Sequence, residues 1–194
     1  MITHLNGKLV EIYPTHAVVE CHGVGYWVNI SLNSYSKLEK QENIKIFTQL
    51  IVREDAQVLY GFYSPQEREV FLKLISVNGV GPSSAMMMLS SLEIEEIRGA
   101  IETADAGKLQ SVKGIGAKTA QRIIIDLKDK LEDDMFNFNI NSNNSKNKSK
   151  FEALSALDVL GIPRKTAEKV LEMISKDFPD AEADVLVKET LKRL

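Results

Sequence analysis

Two short stretches of this chain combine residue types that can bind an anion through the backbone. Residues 112–122 read VKGIGAKTAQR, in which Gly114 and Gly116 flank one aliphatic residue and precede a predicted helix. Glycine adopts positive φ and carries no Cβ, so a phosphate can come close to such a turn. The N–H groups at the start of the next helix carry the positive end of its dipole. The sequence therefore indicates an anion site, for a nucleotide cofactor or for the phosphate of a nucleic acid strand.

The spacing excludes the two common nucleotide-binding motifs. A P-loop that used Lys118 and Thr119 would need glycines in place of Val112 and Ala117. A dinucleotide fingerprint would need a third glycine at Thr119 and a buried strand before the turn, where GKLQSV is typical of a helix. We therefore expect no cofactor. An isolated Gly-x-Gly stretch would most simply form a tight turn between helices, without any ligand.

The other stretch makes the Gly-x-Gly turn one half of a repeat. Residues 74–90 (LISVNGVGPSSAMMMLS) align with residues 109–125 (LQSVKGIGAKTAQRIII) after a shift of 35 positions, with Leu, Ser, Val, both glycines and Ala identical. Each copy predicts a helix, a glycine turn and a second helix that begins at Pro82 or Ala117. We expect the aliphatic residues between the glycines, Val80 and Ile115, to pack inward. The repeat therefore predicts two helix-hairpin-helix motifs.

Contacts of this kind position a protein on a nucleic acid strand without reading its bases. The chain has 24 basic and 27 acidic residues, but residues 107–131 hold six cations against two acidic residues. Lys118 and Arg122 share one helical face beside the turn, although a solvated charged face would look similar. We predict DNA binding that depends on structure and not on sequence. The predicted DNA-binding residues are Asn78, Gly79, Val80, Gly81, Ser83, Ser84, Gly114, Ile115, Gly116, Lys118, Thr119 and Arg122.

No catalytic or metal-binding constellation is apparent in the sequence. Cys21 and His22 are neighbours on a predicted strand and would point to opposite faces, so they cannot form a nucleophile–base pair. The three histidines are scattered, which predicts no metal site. No apolar run approaches the roughly 20 residues of a membrane span, and MITHLNGKLV lacks the features of a signal peptide. We expect a cytoplasmic protein.

The chain divides into four predicted segments. Residues 1–63 contain five short strands and predict a small barrel of the oligonucleotide-binding (OB) type. Residues 64–135 are helical and contain the repeat, and the polar residues 136–150 predict a mobile linker. Residues 151–194 predict three short helices with 7 basic and 9 acidic residues. A tethered, nearly neutral module of this kind is typical of a protein-binding domain.

The motifs together resemble one family. GVGYWV at 23–28, VREDAQVLYGF at 52–62, NGVGPSSA, KGIGAKTAQR and the three-helix tail are similar to the RuvA family of Holliday-junction-binding proteins, over the whole chain outside the linker. The resemblance implies a multi-domain α+β fold with an OB-like barrel, a tandem helix-hairpin-helix domain, a flexible linker and a C-terminal UBA-like three-helix domain.

The resemblance also implies a function and partners. Such a protein is a homotetramer, or an octamer, of the bacterial cytoplasm that holds a four-way junction open and recruits the hexameric ATPase RuvB. RuvB drives branch migration in recombination, DNA repair and the SOS response to DNA damage, and the RuvC resolvase is a further partner. The chain itself would be a non-catalytic subunit of this ATP-dependent helicase complex.

The resemblance assigns roles to two further groups of residues. Glu54 and Asp55, at the predicted hairpin tip 53–57, would be an acidic pin that separates strands. Family members often carry Lys where this chain has Ser83 and Ala117, so two cations beside the turns are absent here. The expected RuvB-binding residues are Leu157, Leu160, Gly161, Ile162, Ala167 and Val170.

Two other functions remain open. The chain could be the non-specific DNA-binding portion of a nuclease or ligase, which would need a carboxylate cluster for Mg²⁺ or a nucleophilic lysine in a motif. It could also be an adaptor that holds proteins together without touching DNA.

Overall fold

The structure is a computed structural model that describes residues 1–133, 145–178 and 181–193. The N-terminal part is a closed five-stranded barrel in the order β1-β2-β3-β5-β4, which confirms the predicted fold. The strands and the short helix within the barrel sequence are β1 (His4–Tyr13), β2 (His16–Cys21), β3 (Val24–Ile30), α1 (Leu32–Leu38), β4 (Asn43–Val52) and β5 (Gln57–Phe62).

The barrel forms because apolar residues alternate along its strands and point inward. Its interior includes Ala17, Val19, Val28 and Ile46, all without solvent exposure. A parallel pairing of β3 with β5 closes the barrel, whereas the other neighbours pair antiparallel. Gly61 is a residue of the barrel strand β5. A Cβ there would lie 2.4 Å from a methyl group of Val28 in the barrel interior, so the closed barrel requires glycine at this position.

In the described part of the chain, five helices follow the barrel within the same compact unit, and the first of them packs against the last two strands. The phenyl ring of Phe71 lies 5.2 Å from the ring of Tyr60 and 4.9 Å from that of Phe62, centroid to centroid. These contacts place the last barrel strand in the same hydrophobic core as the helices. The helices are α2 (Pro65–Ser76), α3 (Pro82–Ser91), α4 (Ile94–Glu102), α5 (Ala106–Gln110) and α6 (Ala117–Asp133).

The C-terminal residues form a second compact unit of three helices. They are α7 (Ser145–Val159), α8 (Arg164–Asp177) and α9 (Ala183–Arg193). α7 begins at Ser145, so residues 145–150 of the predicted mobile linker are helical; residues 136–144 lie outside the described part of the chain. The apolar residues Ala153 and Leu157 are fully buried, and a helix that they anchor extends at little cost through the polar residues before them.

Candidate nucleic-acid interface

The two predicted hairpins have the same backbone geometry. Hairpin 1 (residues 77–81) joins α2 to α3, and hairpin 2 (residues 112–116) joins α5 to α6. The N–H of Val80 donates to the carbonyl of Val77 at 3.0 Å, and the N–H of Ile115 donates to the carbonyl of Val112 at 3.1 Å. The sequence repeat therefore corresponds to a repeated turn.

The first glycine of each turn is the residue that allows it to form. Gly79 has φ 95° and Gly114 has φ 91°, a conformation that residues with a side chain rarely adopt. Val80 and Ile115 are each 5 % exposed and belong to the hydrophobic core, as the sequence predicts. Each turn thus depends on the positive φ of its first glycine and on the burial of the aliphatic side chain that follows this glycine.

The second glycine of each turn is not required by the fold. Gly81 has φ −86°, and Gly116 is not among the positive-φ residues. A Cβ built at either position would meet no atom within 4 Å. Both residues are exposed, so a need for glycine at these positions can only come from a molecule that approaches the turn from outside.

Each turn leads directly into a helix, α3 or α6, whose first N–H groups have no partner within the helix. Gly81 is the N-cap of α3 and provides no side-chain hydrogen bond to that end of the helix. Ser83 is exposed and Ser84 half-buried, while on α6 Lys118 is exposed and Thr119 half-buried. Backbone N–H donors together with these hydroxyl groups can bind a phosphate without contact to a base.

A cleft of about 430 Å³ lies between the two motifs. Nη1 of Arg122, on α6, donates to the carbonyl of Asn78, in hairpin 1, at 3.2 Å. This contact joins the second motif to the first turn. Sequence reasoning missed it, because nothing in the local pattern signals a contact between residues 44 positions apart. The cleft is lined by Asn78, Gly79, Lys118, Thr119, Gln121, Arg122, Ile125 and Asp126.

Positive charge is concentrated on the second motif. Lys113, Lys118, Arg122 and Lys128 are all exposed. α3 has no charged residue, since its sequence is PSSAMMMLSS. Of the predicted DNA-binding residues, Val80 and Ile115 lie in the core, and the two charged ones, Lys118 and Arg122, are both on α6.

The acidic residues Glu54 and Asp55 lie where the sequence predicts a hairpin tip. Val52 pairs with Gln57 as the last pair of β4 and β5, and the N–H of Arg53 donates to the carbonyl of Ala56 at 2.8 Å. Both carboxylates are exposed. The tip thus presents two adjacent negative charges.

The second unit places the expected RuvB-binding residues in two environments. Leu157, Ala167 and Val170 are buried in its core, and Ile162 packs against that core. Leu160 is 58 % exposed, and Gly161 turns the chain with φ 82°. The buried residues can support a binding surface but cannot contact a partner directly. Sequence reasoning did not single out Val159, the last residue of α7, which is 87 % exposed beside Leu160.

The described residues offer neither a metal site nor a membrane span. No group of three or more His, Cys, Asp or Glu side chains is placed to hold a metal ion among residues 1–133, 145–178 and 181–193. Within the same ranges, no helix combines the length and apolar character needed to cross a bilayer.

A closed OB-like barrel whose last strand packs into the core of two helix-hairpin-helix motifs is typical of a class of proteins that contact nucleic acid backbone. The RuvA N terminal domain family matches residues 1–61, and the SAM-like helix-hairpin-helix tandem family matches residues 71–129. Three relatives align over the full length of both chains: one from Flavobacterium psychrophilum is 50 % identical, one from Christiangramia forsetii 49 % and one from Bacteroides thetaiotaomicron 43 %. Each of them is named Holliday junction branch migration complex subunit RuvA. The chain belongs to the RuvA family.

Proposed function

We propose that this protein binds four-way (Holliday) junction DNA by its structure, independently of sequence, and recruits RuvB for branch migration in recombination and repair. The observation that carries the proposal is the pair of identical glycine turns tied together by the Arg122–Asn78 contact. Two turns in one compact unit can contact two phosphate groups of a duplex arm. The family of the chain and the names of its relatives agree with this function.

The grip on each duplex arm combines backbone and side-chain donors. Gly81 and Gly116 leave space for a phosphate next to the starts of α3 and α6. Lys118 and Arg122 add charge that displaces counterions from the DNA, so binding weakens as the salt concentration rises. Neither source of affinity distinguishes one base from another.

The acidic tip, in contrast to the hairpins, repels DNA phosphates. In a homotetramer, the assembly that we propose with an octamer as the alternative, four copies of Glu54 and Asp55 would meet at the centre of the junction. Two unit charges 4 Å apart interact by about 1 kcal/mol in water and about 4 kcal/mol at an effective dielectric constant of 20. Such repulsion is large enough to bias which paths the exchanging strands occupy and to disfavour a continuous duplex.

The double substitution Glu54→Gln with Asp55→Asn tests the role of the tip. It removes both charges and keeps the size of the side chains. We expect junction binding to stay equal or tighten, linear duplex to bind more tightly, and the rate of RuvB-driven branch migration to change. Wild-type duplex affinity together with a wild-type migration rate would mean that the tip is an ordinary surface turn.

The second unit is the proposed site for RuvB. Val159 and Leu160 expose apolar surface next to the Gly161 turn, whereas Leu157 on α7 is buried. A chain that ends at residue 138, the limit of the first unit, should bind junctions within about twofold of the full chain but fail to stimulate RuvB. Loss of junction binding by this folded fragment would contradict the division of labour. RuvC as a further partner and the bacterial cytoplasm as location belong to the same proposal.

A band-shift titration of one four-way junction against linear duplex of the same sequences tests the function as a whole. Strong preference for the junction without cleavage supports the proposal. Equal affinity, or cleavage in the presence of Mg²⁺, would favour the DNA-binding portion of a nuclease or ligase. No binding to either DNA would leave a protein–protein adaptor.

A further inference from the structure

A buried carboxylate lies at the point where the barrel meets the first helix-hairpin-helix motif. Glu67 is on the first turn of α2 and is only 5 % exposed. The hydroxyl of Ser31 donates to Oε1 of Glu67, and the hydroxyl of Ser34 donates to Oε2 at 2.6 Å. The backbone N–H of Tyr63 is shared between Oε2 of Glu67, at 3.1 Å, and the Ser34 hydroxyl, at 2.8 Å. The carboxylate therefore connects α1, the end of β5 and α2.

The arrangement differs from an ordinary helix cap. Ser64 is the N-cap of α2, and its hydroxyl accepts from the N–H of Glu67 at 3.1 Å. In a capping box, the third helical residue would return its carboxylate to the N–H of the cap residue. Glu67 reaches instead to the preceding residue, Tyr63, and across to α1. A buried carboxylate is costly unless it is hydrogen-bonded, so the cluster around Glu67 offsets the cost of its burial.

α1 also holds the far end of the same motif. Nδ2 of Asn33 donates to the carbonyls of Leu89, at 2.8 Å, and Leu92, at 3.2 Å, where α3 ends. The N–H of Leu32 donates to the hydroxyl of Ser90 at 3.1 Å. The start of α2 and the end of α3 are thus both fixed to one barrel helix, and hairpin 1 lies at the opposite ends of these two helices.

The same carboxylate is close in sequence to the acidic tip. β5 runs from Gln57, next to the tip, to Phe62, and the next residue, Tyr63, donates its N–H to Glu67. One strand and one hydrogen-bonded cluster therefore separate the repelling tip from the helix that leads into hairpin 1. A loose cluster would leave each hairpin intact but allow the distance between hairpin and tip to vary.

We propose that Glu67 is a positioning residue that fixes hairpin 1 relative to the acidic tip and thereby sets the preference for junction over duplex. This inference rests on the proposed function. Binding to a duplex arm requires only contacts with the hairpins. Binding to a junction requires hairpin contacts on several arms and the acidic tip at the centre at the same time. Binding through several linked contacts is strong only when the geometry lets all of them engage together.

The test compares four variants by band shift with the junction and with linear duplex, well below their unfolding temperatures. Glu67→Ala and the double substitution Ser31→Ala with Ser34→Ala each break the cluster. Both should lower junction affinity about tenfold and change duplex affinity less than about twofold. Glu67→Gln keeps a carbonyl acceptor for the cluster and should recover most of the junction preference. Gln66→Ala, a change at an exposed residue on the same turn, should match the wild type.

The ratio of junction to duplex affinity separates positioning from simple stabilisation. If the cluster variants unfold at lower temperature but keep the wild-type ratio, Glu67 only stabilises the fold and the inference is wrong. If Glu67→Ala does not fold, the ratio measured for the double serine variant decides in the same way. The titration of the wild-type protein tests the proposed function separately. A wild-type protein without junction preference would refute that function.

Discussion

The two helix-hairpin-helix motifs share a turn and differ in what surrounds it. Gly79 and Gly114 have φ angles of 95° and 91°, and the aliphatic residues that follow them are equally buried. Beyond the turn, α3 carries no charge, whereas α6 presents Lys118 and Arg122. The backbone grip is therefore duplicated, but the side-chain charge is not.

The motifs are also attached differently. The first is held by the barrel through the Glu67 cluster and through Asn33. The second reaches the rest of the unit through α4, where Nζ of Lys108 lies 2.7 Å from a carboxylate oxygen of Glu96, and through the Arg122–Asn78 contact. The difference suggests that the first motif determines the position of the DNA-binding surface, whereas the second determines how strongly DNA affinity depends on charge.

The largest expected effect comes from breaking the shared turn. Gly114→Val places a β-branched residue at positive φ, with a strain of about 1–3 kcal/mol, so the turn should leave its native geometry. We expect junction affinity to fall at least about tenfold and the protein to unfold at lower temperature. Band shift and thermal unfolding measure the two effects on the same sample.

Gly116→Ala is the matched control for the turn. The fold leaves open space around this residue, so the unfolding temperature should stay at the wild-type value. Its Cβ would nevertheless occupy the space where a phosphate approaches, and junction affinity should fall severalfold. Wild-type DNA affinity of Gly116→Ala would show that no phosphate comes close to hairpin 2.

The next effect separates charge from backbone. Lys118→Ala and Arg122→Ala should each reduce the slope of log affinity against log salt concentration by about one unit. Arg122→Ala should also weaken the link between the motifs, since its guanidinium donates to hairpin 1. Lys40→Ala, which removes an exposed charge from the barrel segment, is the control. Unchanged slopes for both interface variants would mean that these side chains face away from DNA.

A smaller effect should follow from adding a cation beside each of the two turns. Ser83→Lys and Ala117→Lys supply cations at two exposed positions beside the turns. Each should raise the salt slope by about one unit and tighten junction binding at low salt. If Ala117→Lys tightened binding and Ser83→Lys did not, the first motif would help to position the protein without lying close to a phosphate.

The repeat, the barrel and the acidic tip could be predicted from the sequence because each depends on local patterns. Alternating apolar residues define the strands, and the Gly-x-Gly spacing defines the turns. The same spacing did not distinguish Gly114, which the backbone needs, from Gly116, which it does not, because φ is a property of the folded turn.

Contacts between distant segments could not be predicted in this way. Glu67 follows Ser64 at the spacing of a capping box, and the sequence gives no sign that its carboxylate turns toward Ser31 and Ser34 instead. An apolar residue on a small helical domain can serve its core or its surface: Leu157 and Val170 are buried, whereas Leu160 is 58 % exposed. The packing of the three helices decides which.

The smallest expected effect concerns the attachment of the second motif to α4. The pKa of the Glu96 carboxyl is lowered, first by its hydrogen bond from Lys108 and then by the backbone N–H of Glu93. A lowered pKa means that the ionised form is favoured by folding, so this contribution is present at neutral pH and is lost as the pH falls through the lowered value. The pair is exposed, so Glu96→Gln should change the unfolding temperature only slightly and flatten its decline in acid. Junction affinity at neutral pH should stay within about twofold of the wild type, because Arg122 still joins the motifs. A larger loss of junction affinity would show that α4, and not the Arg122–Asn78 contact, sets the position of hairpin 2.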